Sequence, residues 1–334
     1  MVELEVKRSK QVRDAAKRLV KNENAVLLLV LIGLIGVMSV VTKGLSTARV
    51  NMGNVLIQSA VRGTASVGQA FVILTSGIDV SIGGIGLFCS LLGASLMSSQ
   101  EGRNIFGEPV SAFIGIAVML LVGMGWGSIN GSLVSRVGVP ALVVTLGMWE
   151  VLKGASFQLA GGMSISMLPD NFAYIGRGYI FGVPIVVIVF IVVAAVGYFI
   201  LNHTTFGKCV YAAGGNPVTA WLSGIKVRNT QLLVYIISGF LGGLSAVLMT
   251  ARIMSASSTS LANLEIDSIS AVAVGGVSLS GGRGNLIGVV IGVLIIGVIN
   301  NAVNILGAMQ DTQGIVKGAI LIIAVVIDTV RRRN

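Results

Sequence analysis

The chain has 334 residues, 54% of them hydrophobic and only 11% charged, with 45 glycines and a net charge of +10. That length would fill two soluble domains, but the composition excludes a soluble protein and describes closely packed membrane helices, where small residues let backbones approach. Two cysteines (Cys89 and Cys209) without metal-ligand spacing and a single histidine, His203, exclude a disulfide framework and His-cluster metal sites, and leave Ser/His catalysis one position at the edge of a span.

A basic segment, residues 1–24, opens the chain with KRSKQVRDAAKRLVK. It reads either as an amphipathic segment lying on the membrane or as a disordered positive anchor. The first apolar run begins near Ala25, late for a cleavable leader and without a small-x-small exit, so it is read as a retained span. Since a crossing helix needs about 20 apolar residues, spans are predicted at 25–41, 55–76, 80–98, 112–135, 141–160, 182–202, 232–251, 265–281, 285–305 and 314–330. The expected fold is all-α and polytopic: about ten transmembrane helices form a domain over 25–330, with a basic tail at 331–334. The second and eighth spans are the least regular, because Arg62 interrupts one and Glu265 and Asp267 open the other.

Polar groups along the spans come next. IQSAVRGTASVGQ places Gln58, Ser59, Arg62, Thr64, Ser66 and Gln69 on the second, and INNAVN places Asn300, Asn301 and Asn304 near the end of the ninth. Gln58, Ser59, Asn300 and Asn301 are the candidates for lining a solute path; hydrogen bonding between helices is the alternative for each. The stretches GIDVSIGG (77–84) and GVSLSGGRG (276–284) echo each other, Gly77 with Gly276 and Asp79 with Ser278, as an internal repeat or as similar turns. GMGWG (123–127) lies within a span with no preceding strand, which points to helix packing rather than nucleotide binding. Among the acids, Asp79 and Asp328 fall at inner ends and Glu265 and Asp267 at an outer end. Glu150 alone reads as deep, with Lys153 three residues on as its partner.

YAAGGNPVTAWLSGIKVRN (211–229) differs from all of these, because it encodes a short helix of the soluble kind between two apolar runs. Asn216 is the N-cap, Pro217 the first helical residue, and Gly224 the left-handed stop. Val218, Trp221 and Leu222 share one face.

Lys and Arg fix the orientation. Of 23, fifteen fall on the side of the N-terminus, five on the other and three within spans, which places both termini and the loop 203–231 in the cytoplasm. The positive charge therefore reports topology and anionic lipid, with no aromatic-interleaved patch for nucleic acid. No G-x-x-x-x-G-K-[S/T] occurs; TTFGKCV lacks the first glycine and the hydroxyl after Lys208, so ATP binding by a P-loop is excluded.

VILTSGIDVSIGG, TTFGKCVYAAGGNPVTAWLSGIKV and LEIDSISAVAVGGVSLSGGRGNLIGVVIGVLIIGVINNAVNILG, in this order and spacing, resemble the permeases of monosaccharide ABC importers, the ribose and galactose transporters above all. The resemblance implies a permease dimer (a second copy of the chain), a cytoplasmic ATPase carrying two nucleotide-binding domains with ATP and Mg, and an extracytoplasmic sugar-binding protein, all at the bacterial cytoplasmic (inner) membrane. It implies no catalytic residue, cofactor or metal on this chain. The family's coupling segment maps onto Gly214, Gly215, Asn216, Pro217, Ala220, Ser223 and Gly224, so Val218, Trp221 and Leu222 are expected to dock into the ATPase; resting on lipid is the alternative. The long basic N-terminus and MWEVLKG in the fifth span depart from the family, which leaves the sugar open. An ion-coupled secondary transporter and an intramembrane hydrolase are the competing classes, and neither finds a convincing midplane acid or catalytic pair.

Overall fold

In the computed structural model the described residues are 23–306, together with short helical pieces between 314 and 329. The basic segment 1–22, Lys317, Asp328, much of the tenth predicted span and the tail 331–334 lie outside the described residues. Among the described residues five helices are long and apolar enough to cross a membrane.

The first three helices are α1 (Glu23–Val41), α2 (Arg49–Leu74) and α3 (Ser81–Met97). Next come α4 (Ala112–Ser132), continued by a π-turn over Leu133–Val137, and α5 (Ala141–Ala160). The short α6 (Asp170–Arg177) and a hairpin of β1 (Tyr179–Ile180) and β2 (Val183–Pro184) lead into α7 (Ile185–His203). Then follow α8 (Thr205–Gly215), α9 (Pro217–Leu222), α10 (Val227–Ile253), α11 (Leu264–Val274) and α12 (Leu286–Ile305).

Glycine decides the central packing. A Cβ on Gly123 would run into the Gly239 carbonyl and one on Gly127 into the Tyr235 carbonyl, while one on Gly243 would lie 2.7 Å from the Met119 carbonyl. The four-residue spacing of Gly123, Gly127 and Gly131 thus makes a flat stripe on α4 against which the Gly239–Gly243 stripe of α10 lies backbone to backbone. Gly125, on the other side, touches nothing within 4 Å, so the GMGWG stretch is a packing element. On the other flank of α10, a Cβ at Gly68 of α2 would be 2.9 Å from the Ser238 Cα, and Ser245 Oγ donates to the Val61 carbonyl at 3.0 Å.

The end of the bundle that carries the last turn of α10 is tied down by polar contacts. Arg177 donates from Nε to the Arg252 carbonyl (2.8 Å) and from Nη2 to the Ile253 carbonyl (3.1 Å), filling acceptors that the last turn of α10 leaves open. The α6 helix carrying Arg177 escapes a search for apolar runs of crossing length because it has only eight residues. A pair of backbone hydrogen bonds joins Ile165 to Ala256 at 2.8 Å each way.

One predicted span changes character. Residues 265–281 form not a crossing helix but the 11-residue α11, about 16 Å long, followed by a glycine-rich turn. Gly276 (φ +82°) takes the left-handed position, and Gly276 N–H and Val277 N–H bond to the Ala273 and Val272 carbonyls, closing a Schellman cap. The end of α2 closes in the same way, with Ser76 (φ +64°) and Gly77 bonding to Ile73 and Val72. These matching caps pair Ser76 with Gly276, one residue away from the pairing read from the sequence.

Candidate functional site

The short helix of the soluble kind predicted at 216–224 is present with its predicted ends. Asn216 Oδ1 accepts from Thr219 N–H at 3.0 Å, Pro217 is the first helical residue, and Gly224 (φ +83°) terminates α9. A third Schellman-type closure, Gly224 N–H to Trp221 and Ile225 N–H to Ala220, fixes the end as firmly as the start. Within this frame Ala220 alone turns inward. Val218 (66%), Trp221 (68%) and Leu222 (72%) are exposed. Val218 and Trp221, with Pro217, Ile225, Lys226 and Arg228, line an open concavity; Leu222 lies outside it.

Behind α9 lies a joint made almost entirely of backbone. A Cβ on Gly214 would strike the Leu74 carbonyl at the end of α2 and would come within 2.7 Å of the Gly282 nitrogen; one on Gly282 would be 2.6 Å from the Gly215 Cα. Gly282 N–H donates to the Leu74 carbonyl at 3.0 Å, and Ser76 Oγ bonds to the carbonyls of Gly214 (2.9 Å) and Ser280 (2.7 Å). Tyr211 Oη donates to the Gly284 carbonyl at 3.0 Å, and burial raises the pKa of its phenol. The residues assigned to coupling therefore divide: Gly214 is buried in this joint, whereas Gly215, Asn216, Pro217, Ser223 and Gly224 are exposed with the apolar face.

Charges inside the bundle are distributed differently from the sequence reading. Glu150 is exposed on α5, and Lys153 lies 4.5 Å over the Trp149 ring instead of pairing with it. Glu265 and Asp267, expected at an outer end, are buried, because residues 254–263 fold back into the bundle before α11 begins. Asp267 Oδ2 meets Arg62 Nε at 2.9 Å, and the Glu265 carboxylate lies against Gly83. Arg62 follows Val61, which is bonded to Ser245, eight residues or about 12 Å short of the end of α10. The Arg62 backbone therefore lies inside the bundle, while its partly exposed guanidinium is close enough to Arg252, in the last turn of α10, for the two charges to repel. A signal for the pair existed in the sequence: of the three charges that made the second and eighth segments the least regular spans, Arg62 and Asp267 pair.

Asp79, expected where water would satisfy it, is fully buried and accepts from the hydroxyls of Ser81 and Ser238 (2.7 Å), while Asn130 Nδ2 donates to Ser81 Oγ at 2.7 Å. Of its two hydroxyl partners Ser81 is local, two residues on at the start of α3, whereas Ser238 comes from α10 and Asn130 of α4 backs Ser81.

Of the proposed path residues, Ser59 (1% exposed), Asn300 and Asn301 are buried and Gln58 is half-buried. The structure brings Ser59 against Gly297 of α12, near Arg62, Asp267 and Ser66 around a narrow crevice. Asn301 instead exchanges two amide hydrogen bonds with Asn51 (2.7 and 2.9 Å), which joins α2 to α12. His203 stacks on Phe199 at 5.4 Å between ring centres.

Residues 51–325 match the permease component of the branched-chain amino acid transport system family. The chain belongs to this permease family. It is 38% identical over 282 residues to the ribose import permease protein of Haemophilus influenzae, covering 83% of this chain and 84% of that one. With the ribose import permease protein of Escherichia coli K12 the identity is 35% over 305 residues (90% and 92% covered), and with its galactose/methyl galactoside import permease protein 33% over 291 residues (84% and 87%). No solved structure matches. The resemblance to ribose and galactose transporter permeases is thus borne out, and the chain is a multi-helix membrane permease, a transport component rather than an enzyme.

Proposed function

We propose that this permease is the membrane-spanning subunit of a binding-protein-dependent ABC importer that carries a ribose- or galactose-like monosaccharide across the bacterial cytoplasmic membrane. It works as a homodimer with both termini cytoplasmic. ATP and Mg are held by a cytoplasmic ATPase with two nucleotide-binding domains, and an extracytoplasmic sugar-binding protein delivers the solute. The supporting observation is α9: three large apolar side chains held outward on a helix capped at both ends. Burying each fully is worth about 1.5–3 kcal/mol, a gain that a cleft on the ATPase supplies. Gln58, Ser59, Asn300 and Asn301 remain the proposed path-lining groups. Ion-coupled transport, the competing class, needs a buried acid open to an exchangeable cation; Asp267 is paired with Arg62 of the protein itself, and Asp79 accepts from Ser81 and Ser238.

Trp221→Ala removes the largest anchor of the face. The variant is expected to insert normally but to lose ATPase association in pull-downs or transport-coupled hydrolysis in reconstituted vesicles. Values matching the unmodified protein in both assays would assign α9 to the lipid surface instead. The purified chain alone is expected to hydrolyse no ATP, with turnover appearing only when the ATPase is added.

A further inference from the structure

We propose that Arg62, Asp267 and Ser59 form a contact point for the hydroxyl groups of the neutral monosaccharide as it passes between α2, α11 and α12, and that the ion pair is the closed state of that point. The inference rests on the permease reading above and goes beyond it by assigning a solute site to a charge pair.

The crevice between these helices is lined by the polar Ser59, Arg62, Ser66 and Asp267 and by the apolar Ala271, Val293, Ile296 and Gly297. Arg62 retains 28% of its side-chain exposure although its ionic partner retains 1%. A guanidinium this far inside a membrane domain is costly against lipid, so its open side belongs to a polar passage. Ser59 supplies an independent observation. Its hydroxyl is 1% exposed and has no hydrogen-bond partner, whereas the Ser66 hydroxyl on the same crevice is satisfied by the Arg62 carbonyl at 2.9 Å. A buried hydroxyl without a partner is disfavoured unless something else occupies its bonding position for part of the cycle.

The chemistry fits a diol. Each sugar hydroxyl both donates and accepts, so two neighbouring hydroxyls can accept from a guanidinium and donate to a carboxylate while Ser59 takes a third. When the solute leaves, Arg62 and Asp267 return to each other and no buried charge is stranded. Self-pairing also keeps binding weak, as passage requires.

The test uses the full complex in proteoliposomes, with permease, ATPase and loaded binding protein, and reads sugar delivered per ATP hydrolysed. The swapped pair Arg62→Asp with Asp267→Arg preserves the salt bridge but reverses which helix donates and which accepts. Its ratio is expected to fall about tenfold, the loss of one charge-assisted hydrogen bond, with the melting temperature within a few degrees of the unmodified protein. If the swap restores the ratio along with stability, the pair is a structural clasp and the proposal is overturned. Should the swap fail to assemble, Ser59→Ala decides: the ratio is expected to fall about threefold with no loss of stability, and an unchanged ratio overturns the proposal. An unmodified complex that hydrolyses ATP yet delivers no monosaccharide would remove the function itself, and this inference with it.

Discussion

Single side chains set the shape of the exposed helix. Asn216 holds the first turn of α9 by one hydrogen bond to Thr219 N–H, in a helix of only six residues with little cooperative support of its own. Asn216→Ala is expected to cost about 1 kcal/mol of local helix stability, seen as faster amide exchange at Thr219 and Ala220 with global melting unchanged. Asp79 works differently, tying the local Ser81 to the distant Ser238. Asp79→Leu would leave the Ser81 and Ser238 hydroxyls without their acceptor and is expected to destabilise the bundle by about 3 kcal/mol or more, lowering the thermal midpoint in detergent. The burial of Asp79 is illegible from sequence because only Ser81 is local, while Ser238 of α10 and Asn130 of α4 arrive from far along the chain; Asn216 is legible because cap, proline and stop lie within nine residues.

At the scale of elements, the α4–α10 contact shows why glycine is so abundant. Gly239 sits with its Cα hydrogens facing Gly127 and the Gly123 carbonyl, so any side chain must force the helices apart. Gly239→Leu is expected to abolish the folded bundle, with protein recovered only as aggregate in size-exclusion chromatography, while Gly125→Leu, on the open face, leaves the elution profile unchanged. Helix extents followed closely from apolar run length: 25–41, 112–135, 141–160 and 285–305 recur within a few residues as α1, α4, α5 and α12. Run length alone misjudged α11, because hydropathy counts residues without recording where the chain turns back. Gly275 and Gly276 end that helix after 11 residues, and the fold-back of 254–263 draws Glu265 and Asp267 inward from their expected place at the surface.

For the whole molecule, the backbone joint of Gly214, Leu74 and Gly282 links the exposed helix to the ends of α2 and to the turn ahead of α12. Motion imposed on α9 must therefore reach both helices that flank the Arg62–Asp267 pair. Cysteines placed at positions 100 and 208 test the orientation on which this depends: the first is expected to react with impermeant thiol reagents from outside and the second from inside, and reversed accessibility would invert the topology. The brevity of α11 also bears on biogenesis. A helix of about 16 Å carrying two acids has no means of partitioning into a bilayer by itself. It must be escorted into place after α2 and α3 are already seated, with Arg62 waiting as its counter-charge and Gly83 leaving room for Glu265. The order of synthesis supplies that sequence of events, since the receiving helices emerge about two hundred residues before the guest. A chain permuted to begin after α3 would present α11 to the membrane before its receptors exist.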